Sequence, residues 1–299
     1  MKIIFLLLTL SFKTYAVSFD NLQVGILYER LSPQISFGND SDTQIEYTGV
    51  RNFNYKLLFN YKSFGISLSL PNNEKYENID NSSSLPVSKG NTANLFWATD
   101  RYEVSLIYEE TKGFEITEEF GKKPSVRKLE PSMESKTYYF SLLHSFNPKY
   151  SISKSNSFLV ENNSKSFLGM VSINKKEIRS SNRLYKSNIN QFSSFSFSLA
   201  IGYSGTWTSS SHNWFLIGDL LLGPSLQKNT EKDLDQSKRK FTRIGLAVDL
   251  KFKMGYFSQS KKWSFPLIIN IEQQSFEFQN GQNVDHSTIY AGLGVKYHF

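Results

Sequence analysis

The sequence predicts an all-β protein, an antiparallel transmembrane β-barrel of about 12 strands with short periplasmic turns and longer extracellular loops. Three observations predict it. Apolar residues alternate with polar or small ones in many separate segments, aromatics gather at the ends of the apolar faces, and long connections alternate with tight ones. Successive side chains on a strand point to opposite faces, so such alternation builds strands with one apolar and one polar side.

The chain begins with MKIIFLLLTLSFKTYA, in which Lys2 precedes an apolar run from Ile3 to Leu10 and Thr14 and Ala16 flank Tyr15. This reads as a secretory signal peptide over residues 1–16, leaving a single barrel domain over 17–299. The apolar run is too short to cross about 30 Å of hydrocarbon as a helix. Without Lys2 and Lys13 the formal net charge falls from +7 to +5. Strands are then expected near 22–30, 45–60, 64–70, 92–98, 101–109 and 135–146. Others are expected near 151–173, 191–206, 213–226, 240–256, 263–278 and 287–299.

Two strands carry the pattern most fully. In FTRIGLAVDLKFKMGY, Ile244, Leu246, Val248, Leu250, Phe252, Met254 and Tyr256 oppose a face with Arg243, Asp249, Lys251 and Lys253. In the closing STIYAGLGVKYHF, residues Ile289, Ala291, Leu293, Val295, Tyr297 and Phe299 oppose Lys296 and His298. Long connections fall at 31–44, 71–91, 110–134, 174–190 and 227–239, with a shorter one at 279–286. Tight ones fall at 61–63, 99–100, 147–150, 207–212 and 257–262. A soluble sandwich has no reason to alternate in this way; a barrel with one end in the periplasm does. Closure is required because an open sheet edge cannot be satisfied in hydrocarbon. Tyr297 and Phe299 also read as the C-terminal signal offered to the barrel-assembly machinery.

Composition removes several function classes. Cysteine is absent, so disulfides, thiol nucleophiles and thiolate metal sites are excluded. Aromatics make up 15% of the chain, yet mean hydropathy is −0.38, as expected when the inner face and the loops are polar. No phosphate loop, metal cluster or nucleic-acid patch stands out, so no cofactor, metal or nucleic-acid partner is expected. The localisation that follows is the bacterial outer membrane, with outer-membrane lipids and lipopolysaccharide as partners. The oligomeric state stays open.

Two segments carry a resemblance. SFGISLSLPNN (63–73) and NPKYSISKSNSFLVENNSKSFLGMVSIN (147–174) resemble parts of an uncharacterised family of Gram-negative outer-membrane β-barrel proteins. In that family an Asn-led turn leads to a Lys-Ser and then a Phe-Leu-Gly; here these are Asn147, Lys165, Ser166, Phe167, Leu168 and Gly169. Those two segments hold 39 of the 299 residues. It implies the barrel fold and no chemistry, since the family has no assigned function.

Parity places Lys56, Glu103, Asp219, Arg243, Asp249, Lys251, Lys253, Glu272 and Lys296 in the lumen. Two readings stay open: an ion-paired plug that conducts nothing, or a narrow water-filled passage for small solutes with weak ion selectivity. The passage is the leading function; a non-conducting structural or surface-binding barrel is the alternative, and a lipid-active enzyme is third. That enzyme needs a histidine base beside a nucleophile. His144, on the apolar parity of LLHSF, is its one candidate on a strand and reads better as an interfacial structural residue, so no catalytic residue is expected. Lys228, Lys232, Lys238, Arg239, Lys240 and Arg243 lie in or beside an outward loop and are candidates to meet lipopolysaccharide phosphates. Glu231, Asp233 and Asp235 share the loop and dilute its field, which favours an ordinary solvated face.

Overall fold

The computed structural model describes residues 22–38, 43–49, 52–71, 89–120, 123–158, 162–182, 184, 189–211, 213–235, 237–277 and 283–299. The segment read as a signal peptide lies outside them. The chain forms β1 (Leu22–Gly38), β2 (Thr43–Gly49), β3 (Asn52–Tyr61), β4 (Phe64–Pro71), β5 (Lys89–Ala98), β6 (Tyr102–Phe120) and β7 (Lys123–Ser145). After a short helix, α1 (Ile152–Ser157), come β8 (Ser164–Arg179), β9 (Ile189–Thr208), β10 (Trp214–Asp233), β11 (Lys238–Phe257), β12 (Trp263–Glu277) and β13 (Asn283–His298).

Every pairing is antiparallel, and β13 returns to β1 to close the ring. The last backbone N–H, that of Phe299, donates to the Leu22 carbonyl at 2.9 Å. Twelve strands form the ring at the base, where tight turns join β3–β4, β5–β6, β9–β10 and β11–β12. The row of paired residues that leaves β9 at Phe195 descends through Lys175, Tyr138, Tyr108, Ala93, Leu68, Leu57, Ile26 and Val295. Continued in the same register through Phe265, Tyr256 and Trp214, it returns at Ser209, one residue past the end of β9 and fourteen beyond Phe195. With strands about 4.8 Å apart and a rise of about 3.3 Å per residue, that stagger tilts the strands by about 39°.

The rim is built differently from the base. β1 pairs with β3 over Leu22–Leu31 but with β2 over Gln34–Gly38, and β2 pairs on its other side with β6. The β4–β5 hairpin therefore ends part-way up, and above it ten strands close the wall. A methyl group on Gly49 would lie 2.7 Å from Pro33 and 3.3 Å from Thr111, so β1 and β6 close directly onto the end of β2.

Three differences from the sequence reading have physical causes. The tight turn expected at 147–150 and the strand from 151 are replaced by a link holding α1, and β8 begins at Ser164. Tyr150 and Ile152 alternate with Ser151 and Ser153 like a strand, but Ser151 caps a helix whose apolar residues face the lumen. The strand expected over 45–60 is divided into β2 and β3. Finally, much of the expected loops at 31–44, 110–134, 174–190 and 227–239 is strand. Above the lipid the outward side chains turn polar, so the alternation changes phase or fades. On β6 the change is made by Gly113, at φ 80, where the register to β7 shifts. Below it Leu106 faces outward; just above it Phe114 is fully buried inside.

The outer surface carries a continuous apolar belt. Aliphatic side chains form its middle, and aromatics its edges. Tyr28 packs on Tyr55 at 5.4 Å and Tyr108 on Tyr138 at 5.2 Å along the upper edge. Trp214 with Tyr256, and Trp263 with Tyr297 and Phe299, mark the lower one.

Candidate functional site: a filled lumen

The lumen is stacked in three layers. Nearest the rim, Ile35, Ile45, Tyr47, Phe114, Met133, Ile178, Leu184, Ile189 and Phe192 form an apolar core inside the barrel. Gln227 and Asn229 of β10 are fully buried at that end. The middle layer is polar. The Lys56 ammonium sits 3.4 Å from the Glu29 carboxylate and 4.7 Å from the centre of the Tyr290 ring. Ser69 hydrogen-bonds both Glu29 and Thr92. Across the barrel Lys251 pairs with Asp249 at 3.0 Å, and Gln274 links Asn174 to Ser196. A void of about 50 Å³ is lined here by residues including Glu109, Lys176, Asp249, Glu272 and His286.

The lowest layer is α1. Ser151 Oγ accepts the Lys154 N–H at 3.1 Å and donates to Asp100 at 2.6 Å, fixing the start of the helix to the β5–β6 turn. Asn156 donates to Glu103 at 2.5 Å and accepts from Lys253 at 3.2 Å. Ser204 donates to Asp219, so the Tyr150 hydroxyl, 2.6 Å away, donates to Ser204. Phe158 ends the helix in the left-handed conformation at φ 65, which turns its ring onto Phe215. Lys253 and Lys296 lie over that ring at 5.7 and 4.9 Å. A cavity of about 160 Å³ separates α1 from the polar layer.

Of the nine residues assigned by parity to the lumen, Lys56, Glu103, Asp219, Lys251, Lys253, Glu272 and Lys296 line this cavity, and Asp249 lines the void above it. Arg243 shares their parity on β11 but stands exposed near the rim. Sequence reasoning missed Glu29, Glu109, Lys176 and His286. Parity with Leu27 places Glu29 inward, and parity with Glu103 places Glu109 inward. Lys176 and His286 fell in segments read as loops.

His144 sits between Tyr102 and Phe146, with ring centres 4.6 and 4.8 Å away, an aromatic contact at the lower belt edge. Its neighbour Ser145 is buried on the opposite face and hydrogen-bonds Ser166. A second Ser–His contact joins Ser264 Oγ to His298 Nε2 at 2.9 Å. Ser264 is fully buried, and His298 Nδ1 has no hydrogen-bond partner among the described residues, so nothing orients the ring as a base. Among the described residues no group of His, Asp and Glu could hold a metal ion.

A family model described as a domain of unknown function (DUF4421) matches residues 13–299. The chain belongs to that family. No curated protein matches the sequence. Among solved structures, the chain of this DUF4421 protein is similar to the outer-membrane protease OmpT from Escherichia coli, at 9% identity and a TM-score of 0.40, covering 96% of this chain and 99% of that one. It is also similar to the P. putida toluene transporter TodX, at 10% identity and a TM-score of 0.35, covering 97% and 92%.

Proposed function

We propose that this protein is a non-conducting barrel of the bacterial outer membrane, exported through residues 1–16, assembled through its C-terminal Tyr297 and Phe299, and acting through its outer surface. The observation that carries this reading is the packing that enters the lumen at both ends, α1 below and the apolar core around Phe114 and Phe192 above. Between them Lys56 pairs with Glu29 and Lys251 with Asp249, and Glu103 and Lys253 meet Asn156 of α1, which supports the plugged alternative of the two lumen readings.

A gated passage is the second reading, and one observation favours it. The described hydrogen bonds that hold α1 and its approach to the wall run through the side chains of Tyr150, Ser151 and Asn156 and through the backbone N–H groups of Ile152 and Ser153, which donate to the Asp100 and Thr99 carbonyls at 3.0 and 3.1 Å. The cavity behind it carries Lys56, Lys251, Lys253 and Lys296. Planar-bilayer recording separates the two. The refolded protein is expected to be silent, and so is a variant whose residues 152–158 are replaced by a Gly-Ser segment of equal length, because the upper core still closes the lumen. Steps from the wild type would overturn the closed reading. Steps only from the replaced variant would make α1 a gate.

A further inference from the structure

The apolar belt is uneven. On β9, β10 and β11 the outward apolar face runs Phe195–Trp207, Trp214–Leu226 and Ile244–Tyr256, about 30 Å of height at the observed tilt. On β6, β7 and β8 it runs Tyr102–Tyr108, Tyr138–His144 and Phe167–Ile173, about half as much. Phe195, Lys175, Tyr138 and Tyr108 lie in one row, which drops about 3 Å per strand. The β9–β11 wall therefore rises about 6–9 Å above the tyrosines that end the belt on β6 and β7. Its upper part is bare: Ile244 is 79% exposed, Leu246 and Leu226 53%, and Phe195 50%.

What caps the two walls also differs. Above the tyrosines on β6–β8 stand Lys112, Lys136, Lys175 and Arg179, and each is paired with Glu110, Glu134 or Glu177 at 2.8–3.4 Å. Above the bare patch on β10–β11 the outward positions hold Lys228, Lys232, Lys238 and Lys240, with Lys232 directly opposite Lys238. The carboxylates of this hairpin are turned elsewhere. Glu231 has inward parity and is buried, and Asp233 is engaged by Arg239 at 3.4 Å. Asp235 lies in the turn beyond. The dilution of charge expected from the sequence does not occur on this face, because strand parity sorts the lysines outward and Glu231 inward.

We infer that the outward face of β9–β11 is a binding site for lipopolysaccharide, with acyl chains on Phe195, Leu226, Ile244 and Leu246 and phosphates on the four lysines. Charge chooses this occupant. A second copy presenting the same face would bring eight lysines together, whereas an amphiphile with an anionic head and apolar tails matches both halves of the patch. The height fits as well: the lysines stand above a wall taller than the belt edge elsewhere, where a bulky phosphorylated headgroup meets its acyl chains. The site lies on the outside of the barrel and does not depend on whether the lumen conducts.

The test is binding of bis-phosphorylated lipid A to the folded full-length protein in detergent, followed by native mass spectrometry. K228Q/K232Q/K238Q/K240Q is expected to weaken binding at least tenfold. The matched K112Q/K136Q/K175Q should bind within about twofold of wild type. Dephosphorylated lipid A should bind the wild type as weakly as lipid A binds the lysine variant, and I244N/L246N should weaken binding while leaving the charge intact. The retained gel mobility of the folded barrel shows that each variant has folded. Equal binding by wild type and the four-lysine variant overturns the site. Equal, lysine-dependent binding of phosphatidylglycerol overturns its assignment to lipopolysaccharide, and so does a lysine-dependent dimer in the absence of lipid.

Discussion

Glu29→Ala is expected to cost the barrel about 3 kcal/mol, a loss that would shift its unfolding midpoint in urea well below that of the wild type. Glu29 is fully buried, and its partner Lys56 has only 13% of its side chain exposed. Removing one member of a buried pair leaves the other as an uncompensated charge, and breaking such a pair costs about 3–5 kcal/mol. The lower figure applies because Lys56 keeps some solvent and the Tyr290 ring. Ser69 would also lose the acceptor that ties β4 to β1 across β3. The comparison that isolates charge is Glu29→Gln with Lys56→Met, in which both charges go and the volume is kept. It should recover most of the loss, since replacing a buried ion pair by neutral groups of similar size is often close to neutral. If Glu29→Ala unfolds within 1 kcal/mol of wild type, the middle layer is wet enough to solvate Lys56, and the closed reading of the lumen fails with it.

The same residue shows what the sequence could and could not convey. At lipid depth the environment outside is uniformly apolar, so every outward position obeys one rule and a period of two emerges on all twelve ring strands. That rule places Lys251 and Lys296 inside without any knowledge of their neighbours. It stops at the membrane surface. Above Gly113 the inside is apolar and the outside polar, so Phe114 and Ile178 obey a reversed rule, and the strand extensions around them read as loops. Nor does parity say what fills the interior. Whether Lys253 meets a carboxylate or a helix depends on α1, whose serine-rich segment has the alternation of a strand and folds as a helix because Ile152, Tyr150 and Phe158 can bury themselves in the lumen. Pairing is equally hidden. Lys112 and Lys136 share Glu110 and Glu134 across β6 and β7, and Lys175 meets Glu177 two residues along β8. Lys228, Lys232, Lys238 and Lys240 make no ion pair among the described residues, and this follows from register and parity rather than from composition.

The second large effect lies in the backbone. Gly202→Ala and Gly223→Ala are each expected to prevent stable folding, whereas Gly205→Ala and Gly218→Ala should change stability by no more than about 0.5 kcal/mol. A methyl group at Gly202 would sit 1.8 Å from the Leu220 carbonyl oxygen, and one at Gly223 would sit 1.9 Å from that of Leu199. Both obstacles are backbone of the neighbouring strand, so no rotamer can move them aside; β9 and β10 would have to part. The pairing of β9 with β10 skips Gly223 and Pro224, running from Leu222↔Ile201 to Ser225↔Ser198 without a change of register. A closed sheet of 12 strands must bend sharply somewhere, and glycine is the residue that lets adjacent backbones close up at a bend. Gly205 and Gly218 are paired with each other on the lipid side, and a methyl group at either would meet nothing within 4 Å. The four single variants thus share a strand pair and a chemistry and differ only in the space available. Folded yield by gel mobility, followed by urea titration of those that fold, should divide them two and two. Equal folding of all four would mean that the β9–β10 bend is soft and that barrel closure is set by stagger alone.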